Sequence, residues 1–198
     1  MPDRRQHWEA RYANPSRVMG APSSFLRSLL PTLAPGRALD VASGDGRNAL
    51  ALAKGGHAVT AIDISGAGLA RLRTHARDQG LSIDVVQADL EEYPLPSRYF
   101  HVAVKAFYLQ RSLFTRVKEC LAPGGLAVVE TFLVDQREIG HPRNPAFLLE
   151  RGELVQAFAD FEILISEEGL FDLGDERAYL SRLAARRPLD STGRAGRR

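Results

Sequence analysis

From Arg37 onward, short apolar runs alternate with longer stretches in which apolar residues recur every three or four positions. The run at residues 38–41 leads into a turn holding Gly44 and Gly46, and a helix is predicted over 47–55, stopped by Gly55-Gly56. A second buried strand is predicted at 58–62, closing on Asp63. A helix over 65–79 follows, with Leu69 and Leu72 on one face. A third strand at 82–86 closes at Ala88-Asp89, and a fourth spans 101–104. Then come a helix over 109–121, a turn at Pro123-Gly124-Gly125 and a fifth strand at 126–132. Strands alternating with helices predict a parallel sheet covered on both faces, and right-handed crossovers make it doubly wound.

Past Phe132 the pattern changes. Residues 133–147 read as a polar loop with Gly140, Pro142 and Pro145, followed by a helix over 150–159. Runs at 161–166 and 178–185, around Gly169 and Gly174, read as a hairpin at the sheet edge. The expected fold class is therefore α/β: a seven-stranded, mostly parallel sheet with helices on both faces and an antiparallel edge strand. Before the sheet, residues 1–35 read as a helical lid or cap. Trp8 and Tyr12 lie one helical turn apart, and Ser23-Ser24 offer an N-cap to Phe25, Leu26, Leu29 and Leu30 before Pro31 and Pro35.

Composition adds a few constraints. With 198 residues, 44% hydrophobic and 25% charged, the chain is an ordinary globular one, expected to form a single domain over 1–187. The net charge is +2, but six arginines against Asp190 put +5 on the end from Arg182, leaving −3 elsewhere. Residues 188–198 thus read as a basic, disordered tail, and a nucleic-acid partner is not expected from a body without a basic face. No apolar run approaches the roughly 18 residues of a membrane helix, and no apolar segment follows the N-terminus. A cytoplasmic protein, monomeric or homodimeric, is the expectation. The one cysteine, Cys120, reads as a buried structural thiol, and no metal site is expected.

The candidate chemistry centres on residues 37–48, a strand, glycine turn and helix that point backbone N–H groups outward at a helix N-terminus. A P-loop is excluded because no Gly-Lys-Ser/Thr follows. Ala49 stands in the third position of a dinucleotide fingerprint, where alanine is tolerated, so the turn alone leaves NAD open. Asp40, just before the turn, would repel a pyrophosphate and suits an ammonium. Asp63 follows Gly44 by 19 residues, where ribose hydroxyls would reach it, and Asp89 ends the next strand. Three carboxylates at three successive strand ends would line one crevice.

Asp40-Val41-Ala42-Ser43-Gly44-Asp45-Gly46, then Asp63, Ala88-Asp89 and Leu121-Ala122-Pro123-Gly124-Gly125, resemble in order the motifs of the class I S-adenosylmethionine-dependent methyltransferases. The resemblance covers about residues 8–187. Gly44-Asp45-Gly46-Arg47-Asn48, the Trp8/Tyr12 pair, and Gly152-Glu153-Leu154 with Phe158 and Phe161 resemble the tellurite-resistance and thiopurine type of small-molecule methyltransferase. The resemblance implies a Rossmann-like methyltransferase fold, S-adenosyl-L-methionine as cofactor and a small-molecule acceptor. Cofactor contacts would come from Asp40, Ala42, Ser43, Gly44, Arg47, Asp63, Ile64, Ser65, Ala88, Asp89 and Leu90. The acceptor side would draw on Trp8, Tyr12, Phe107, Tyr108, Arg137, His141 and Arg143.

Three departures stand out. Ala42 occupies the place of the motif's first glycine. Phe100-His101 replaces the usual Phe-Asp at the start of the fourth strand. Lys105, beside an expected sulfonium, is predicted to snorkel outward or to meet an anionic acceptor. No general base is assigned; His141, Tyr12 and Tyr108 are the candidates, histidine because it titrates near neutrality. A soft thiol or chalcogen oxyanion acceptor would need little or no base. The alternatives are a non-catalytic S-adenosylmethionine-binding protein and an NAD-linked oxidoreductase, the latter lacking a Tyr-x-x-x-Lys or His/Asp pair.

Overall fold

In the computed structural model, which describes residues 4–174 and 176–190, seven strands form one sheet. They are β1 (Arg37–Val41), β2 (Ala58–Asp63), β3 (Ile83–Gln87), β4 (Phe100–Ala106), β5 (Leu121–Phe132), β6 (Glu162–Asp172) and β7 (Arg177–Arg186), in the order β3-β2-β1-β4-β5-β7-β6. The first five are parallel, and β7 runs antiparallel to both of its neighbours. The antiparallel strand is therefore one place in from the edge, not the outermost strand as the sequence suggested. The hairpin loop returns β7 against β5 and leaves β6 outside.

The helices are α1 (Arg4–Ala13), α2 (Ser24–Leu29), α3 (Arg47–Lys54), α4 (Gly66–Asp78), α5 (Ser112–Cys120) and α6 (Glu153–Ala157). The central strands read as unbroken apolar runs because both faces are covered. On one face Leu39, Val41, Ala103 and Val129 pack under Leu113, Phe114 and Val117 of α5 and Leu154 of α6. On the other, Ala38, Val102, Val104 and Val128 pack under Phe25, Leu26 and Leu29 of α2 and Leu69 and Leu72 of α4. Each buried Leu, Val or Phe among them contributes roughly 1.5–3 kcal/mol by leaving water. Ser23 caps α2 as expected, accepting from the Leu26 N–H at 3.1 Å.

Two boundaries differ from the pattern. The helix expected over 109–121 begins at Ser112, and Leu121 already pairs with Phe100. The Pro123-Gly124-Gly125 turn thus lies inside an irregular β5, where the register shifts. Gly125 is required there: a Cβ would fall 2.8 Å from the Ala122 carbonyl and 3.0 Å from that of Phe100. Of the segment expected to be a disordered tail, residues 188–190 are ordered, with Asp190 paired to Arg98; residues 191–198 lie outside the described residues. Cys120 is buried and its thiol is pushed up to about 12 by burial, which leaves it inert.

Strand order reverses between β1 and β4. The crevice of a doubly wound sheet opens there, at the carboxyl ends of the strands.

Candidate cofactor site

Asp40 is the fourth residue of β1, and Asp63 ends β2. Asp89 follows β3, its carboxylate accepting from the Glu91 N–H at 2.9 Å. The register sets Val41 beside Ile62, and the Ser43 N–H donates to the Ile62 carbonyl at 3.0 Å. The turn after β1 is thereby tied to the end of β2. Asp63 completes that tie: one oxygen accepts from the Gly44 N–H at 2.7 Å and the other from the Ser65 N–H at 2.8 Å.

The turn is strained at one position and relaxed at two. Gly44 and Gly46 take positive φ of 57° and 86°. Any side chain at Gly46 would strike Leu72 of α4, whose Cδ1 lies 2.2 Å from an added Cβ. Ala42 holds a φ of 56° without glycine's freedom. Phe107, just past the end of β4, has the same φ of 56°. The two strained residues flank the switch point on adjacent strands, the kind of place where such strain clusters.

Asp40 is the electrostatic centre. Burial pushes its carboxyl up to about 7, against the opposing pull of the Ala49 N–H. Its Oδ2 has no hydrogen-bond partner, and neither does the buried hydroxyl of Ser43. Two orphaned polar groups beside a glycine turn fit a polar ligand carrying an ammonium, which would satisfy the carboxylate. Asp63 is also raised, first by burial. Asp89 is partly exposed; burial pushes it up, but the Glu91 N–H and the Arg4 guanidinium outweigh that and hold it low.

The expected acceptor residues divide. Phe107 packs on Phe132 with ring centroids 5.4 Å apart, and the Arg47 guanidinium lies 5.0 Å above the Phe107 ring. Arg47 also donates to the Ala21 carbonyl at 3.2 Å. Tyr108 donates to Gln110 at 2.7 Å. Tyr12 stacks on Trp8 and lies on the glycine turn itself, its hydroxyl 2.0 Å from where a Gly44 Cβ would stand. Burial, with the charges of Asp63 and Asp45, pushes that phenol up to about 12, and burial also raises Tyr108. Neither phenol is a base near neutral pH. Arg137, His141 and Arg143 are exposed on a loop pinned by the buried Gln136, which donates to the His141 carbonyl at 3.1 Å and accepts from the Tyr179 N–H at 2.8 Å. Among the described residues, no contact joins those three to the aspartates. Ile64 and Ala88 are half-buried, and Ser65 and Leu90 are buried beside Asp63 and Asp89.

Lys105 corrects an expectation. It neither snorkels nor reaches an acceptor: it is 0% exposed, donates to the Tyr108 carbonyl and lies 4.9 Å from the Phe114 ring centroid. Burial, then the charge of Arg111, lowers its ammonium to about 7. Its position on β4 faces α5 rather than the crevice. His101, the other departure, accepts from the Arg37 N–H at the amino-terminal end of β4, across the sheet from the aspartates.

Sequence reasoning did not single out two features. Glu130 of β5 and Arg182 of β7 form a buried pair at 2.6 Å, which also holds Ser23 at 2.7 Å and Ser24 at 3.0 Å. Register across β5 and β7 sets the two opposite each other, and sequence separation hides that. Arg4 of α1 donates to both oxygens of Asp89 at 2.7 and 2.6 Å.

Residues 38–125 match a family model described as a methyltransferase domain. The chain is 30% identical over 171 residues to Hemagglutinin 1 of Eikenella corrodens, covering 82% of this chain and 56% of that protein. It is 38% identical over 80 residues to a ubiquinone biosynthesis O-methyltransferase of Histophilus somni (strain 2336), covering 40% of this chain and 32% of the relative. It thus spans about half or less of the length of these curated relatives. The crystal structure of TehB from Haemophilus influenzae superposes with a TM-score of 0.73 at 19% identity, over 92% of this chain and 67% of that one. A seven-stranded sheet in this order, with β7 antiparallel, is the Rossmann-like methyltransferase fold, and residues 38–125 carry the similarity to a methyltransferase domain.

Proposed function

We propose that this protein transfers the methyl group of S-adenosyl-L-methionine to a small-molecule acceptor, with a soft thiol or a chalcogen oxyanion as the favoured acceptor chemistry. The observation that carries the reading is the buried, unpartnered Oδ2 of Asp40, two carboxylates away from Asp89 along one sheet edge. The cofactor, when bound, supplies a methyl group on a cationic sulfur.

The chain's own residues would then position and desolvate. Asp40 receives the ammonium of the methionine end, with Ser43 and the Gly44 turn beside it. Asp63 already accepts from two backbone N–H groups and keeps lone pairs for ribose hydroxyls. Asp89 and the backbone near Leu90 take the adenine edge. Phe107 and Phe132 form an apolar wall at the switch point, so an acceptor held there would lose its water, as a displacement reaction requires. An acceptor that is nucleophilic without a base fits a site whose two phenols stay protonated and whose candidate histidine is exposed.

Calorimetry with S-adenosylhomocysteine and, separately, NAD tests the cofactor. Binding of the first and not the second is expected; tight NAD binding with no response to S-adenosylhomocysteine overturns the reading. Formation of S-adenosylhomocysteine with thiol, selenite and tellurite acceptors then tests the acceptor class. Turnover confined to phenols or amines removes the soft-acceptor proposal.

A further inference from the structure

The helix α1 lies against one side of the crevice, touching Asp89, the start of α4 just after Asp63, and the glycine turn. Its Arg4 donates to both Asp89 oxygens, to Glu91, and at 3.5 Å to the Tyr108 hydroxyl. One turn on, Glu9 accepts from the Ala67 N–H at 3.0 Å and from the Ser65 hydroxyl at 2.8 Å, at the start of α4. Another turn on, Tyr12 covers Gly44. Two surface cavities, of about 480 and 410 Å³, lie elsewhere, one lined by Arg98, Lys118 and Arg187 and the other by Arg73, Leu81 and Ile83.

We infer that α1 is an intramolecular occupant of the cofactor cleft, and that Arg4 must leave Asp89 before an adenosine-containing ligand binds. The inference rests on the proposed roles of Asp63 and Asp89. Asp89 already accepts three hydrogen bonds, two of them from the Arg4 guanidinium, which leaves about one of a carboxylate's four acceptor sites for an adenine edge. Tyr12 occupies the space over Gly44 that the methionine end needs. Occupancy by α1 and occupancy by the cofactor are therefore exclusive at two of the three contact points.

The helix is held in a way that permits exchange. None of its residues is fully buried and Trp8 and Tyr12 are only half-buried, so its apolar anchor is weaker than the one that fixes α2. The Arg4 and Asp89 side chains are 34% and 26% exposed. Pairs of that kind contribute little and weaken with salt. A closed state of this kind lowers apparent affinity by the fraction of molecules that are open. The result is a gate on cofactor loading whose set point is a surface ion pair.

The chain supplies its own reporter, because its one tryptophan, Trp8, sits on α1 stacked against Tyr12. The experiment titrates full-length protein and its Arg4→Ala variant with S-adenosylhomocysteine, reading calorimetry and Trp8 emission together. R4A is expected to bind about threefold more tightly, the size that a partly exposed pair supports. Trp8 emission of wild type should shift on binding, and that of free R4A should already lie toward the bound value. Raising salt should tighten binding to wild type and not to R4A. Equal or weaker binding by R4A, or binding heat with no change in Trp8 emission, overturns the gate while leaving the cofactor reading intact. Failure of both proteins to bind overturns the cofactor reading and the gate with it.

Discussion

The carboxylate of Asp63 accepts the Gly44 N–H at 2.7 Å, so one side chain fixes the glycine turn after β1 to the end of β2. The residue proposed to hold the ribose is thus also the one that shapes the turn. Asp63→Ala should weaken S-adenosylhomocysteine binding by at least about tenfold, or about 1.4 kcal/mol. It should also lower the melting temperature, because the Gly44 and Ser65 N–H groups lose their acceptor. Calorimetry and thermal melting measure the two effects separately. Unchanged affinity would remove the ribose assignment.

Asp40 and Lys105 predict opposite pH slopes in adjoining windows. The Asp40 carboxyl is raised from 3.8 to about 7 in the fold, so the unfolded chain loses this proton first. Its stabilising contribution is complete below pH 3.8 and is lost as pH rises toward 7, at up to about 1.4 kcal/mol per pH unit. Lys105 is lowered from 10.5 to about 7, so the unfolded chain binds this proton more readily, and stability is regained as pH rises from 7 to 10.5. Denaturant melts of Asp40→Asn and Lys105→Met across pH 4 to 10 should each flatten one window. If both variants keep the wild-type slope throughout, these titrations are misassigned.

Ala42 sits at a φ of 56° where glycine would rest without strain. Ala42→Gly should therefore stabilise the protein by about 1 kcal/mol. The expected readout is a higher denaturation midpoint at unchanged slope. A destabilised variant would mean that the alanine methyl contributes more through packing than its backbone loses.

The Glu130–Arg182 pair is buried on both sides, with side-chain exposures of 1% and 9%. Removing one partner strands a charge, so Arg182→Ala or Glu130→Ala alone should destabilise by about 3–5 kcal/mol. Replacing both with Met should recover most of that loss, because Phe25 and Phe171 already flank the guanidinium. A double-mutant cycle measures the coupling, and additive losses would contradict it.

Much of the domain was written in local pattern. The alternation of apolar runs and helical periods gave the first five strands and α2 to α4. Strands buried on both faces and helices buried on one differ in period, and the chain records period directly. The order of Asp40, Gly44, Asp63 and Asp89 was legible for the same reason, because strand ends and turns sit at fixed places in a doubly wound sheet, and it is this order that resembles the motifs of an S-adenosylmethionine site. What depends on long-range packing was not legible. The insertion of β7 between β5 and β6 brought Glu130 to Arg182 across 52 residues. Lys105 was buried because β4 is covered by α5 at the level of Phe114. The sequence alone set three carboxylates at three successive strand ends. Only the tertiary structure showed Asp40 unpartnered and Asp89 held by Arg4 from 85 residues away, since a contact between distant segments has no signature in either segment.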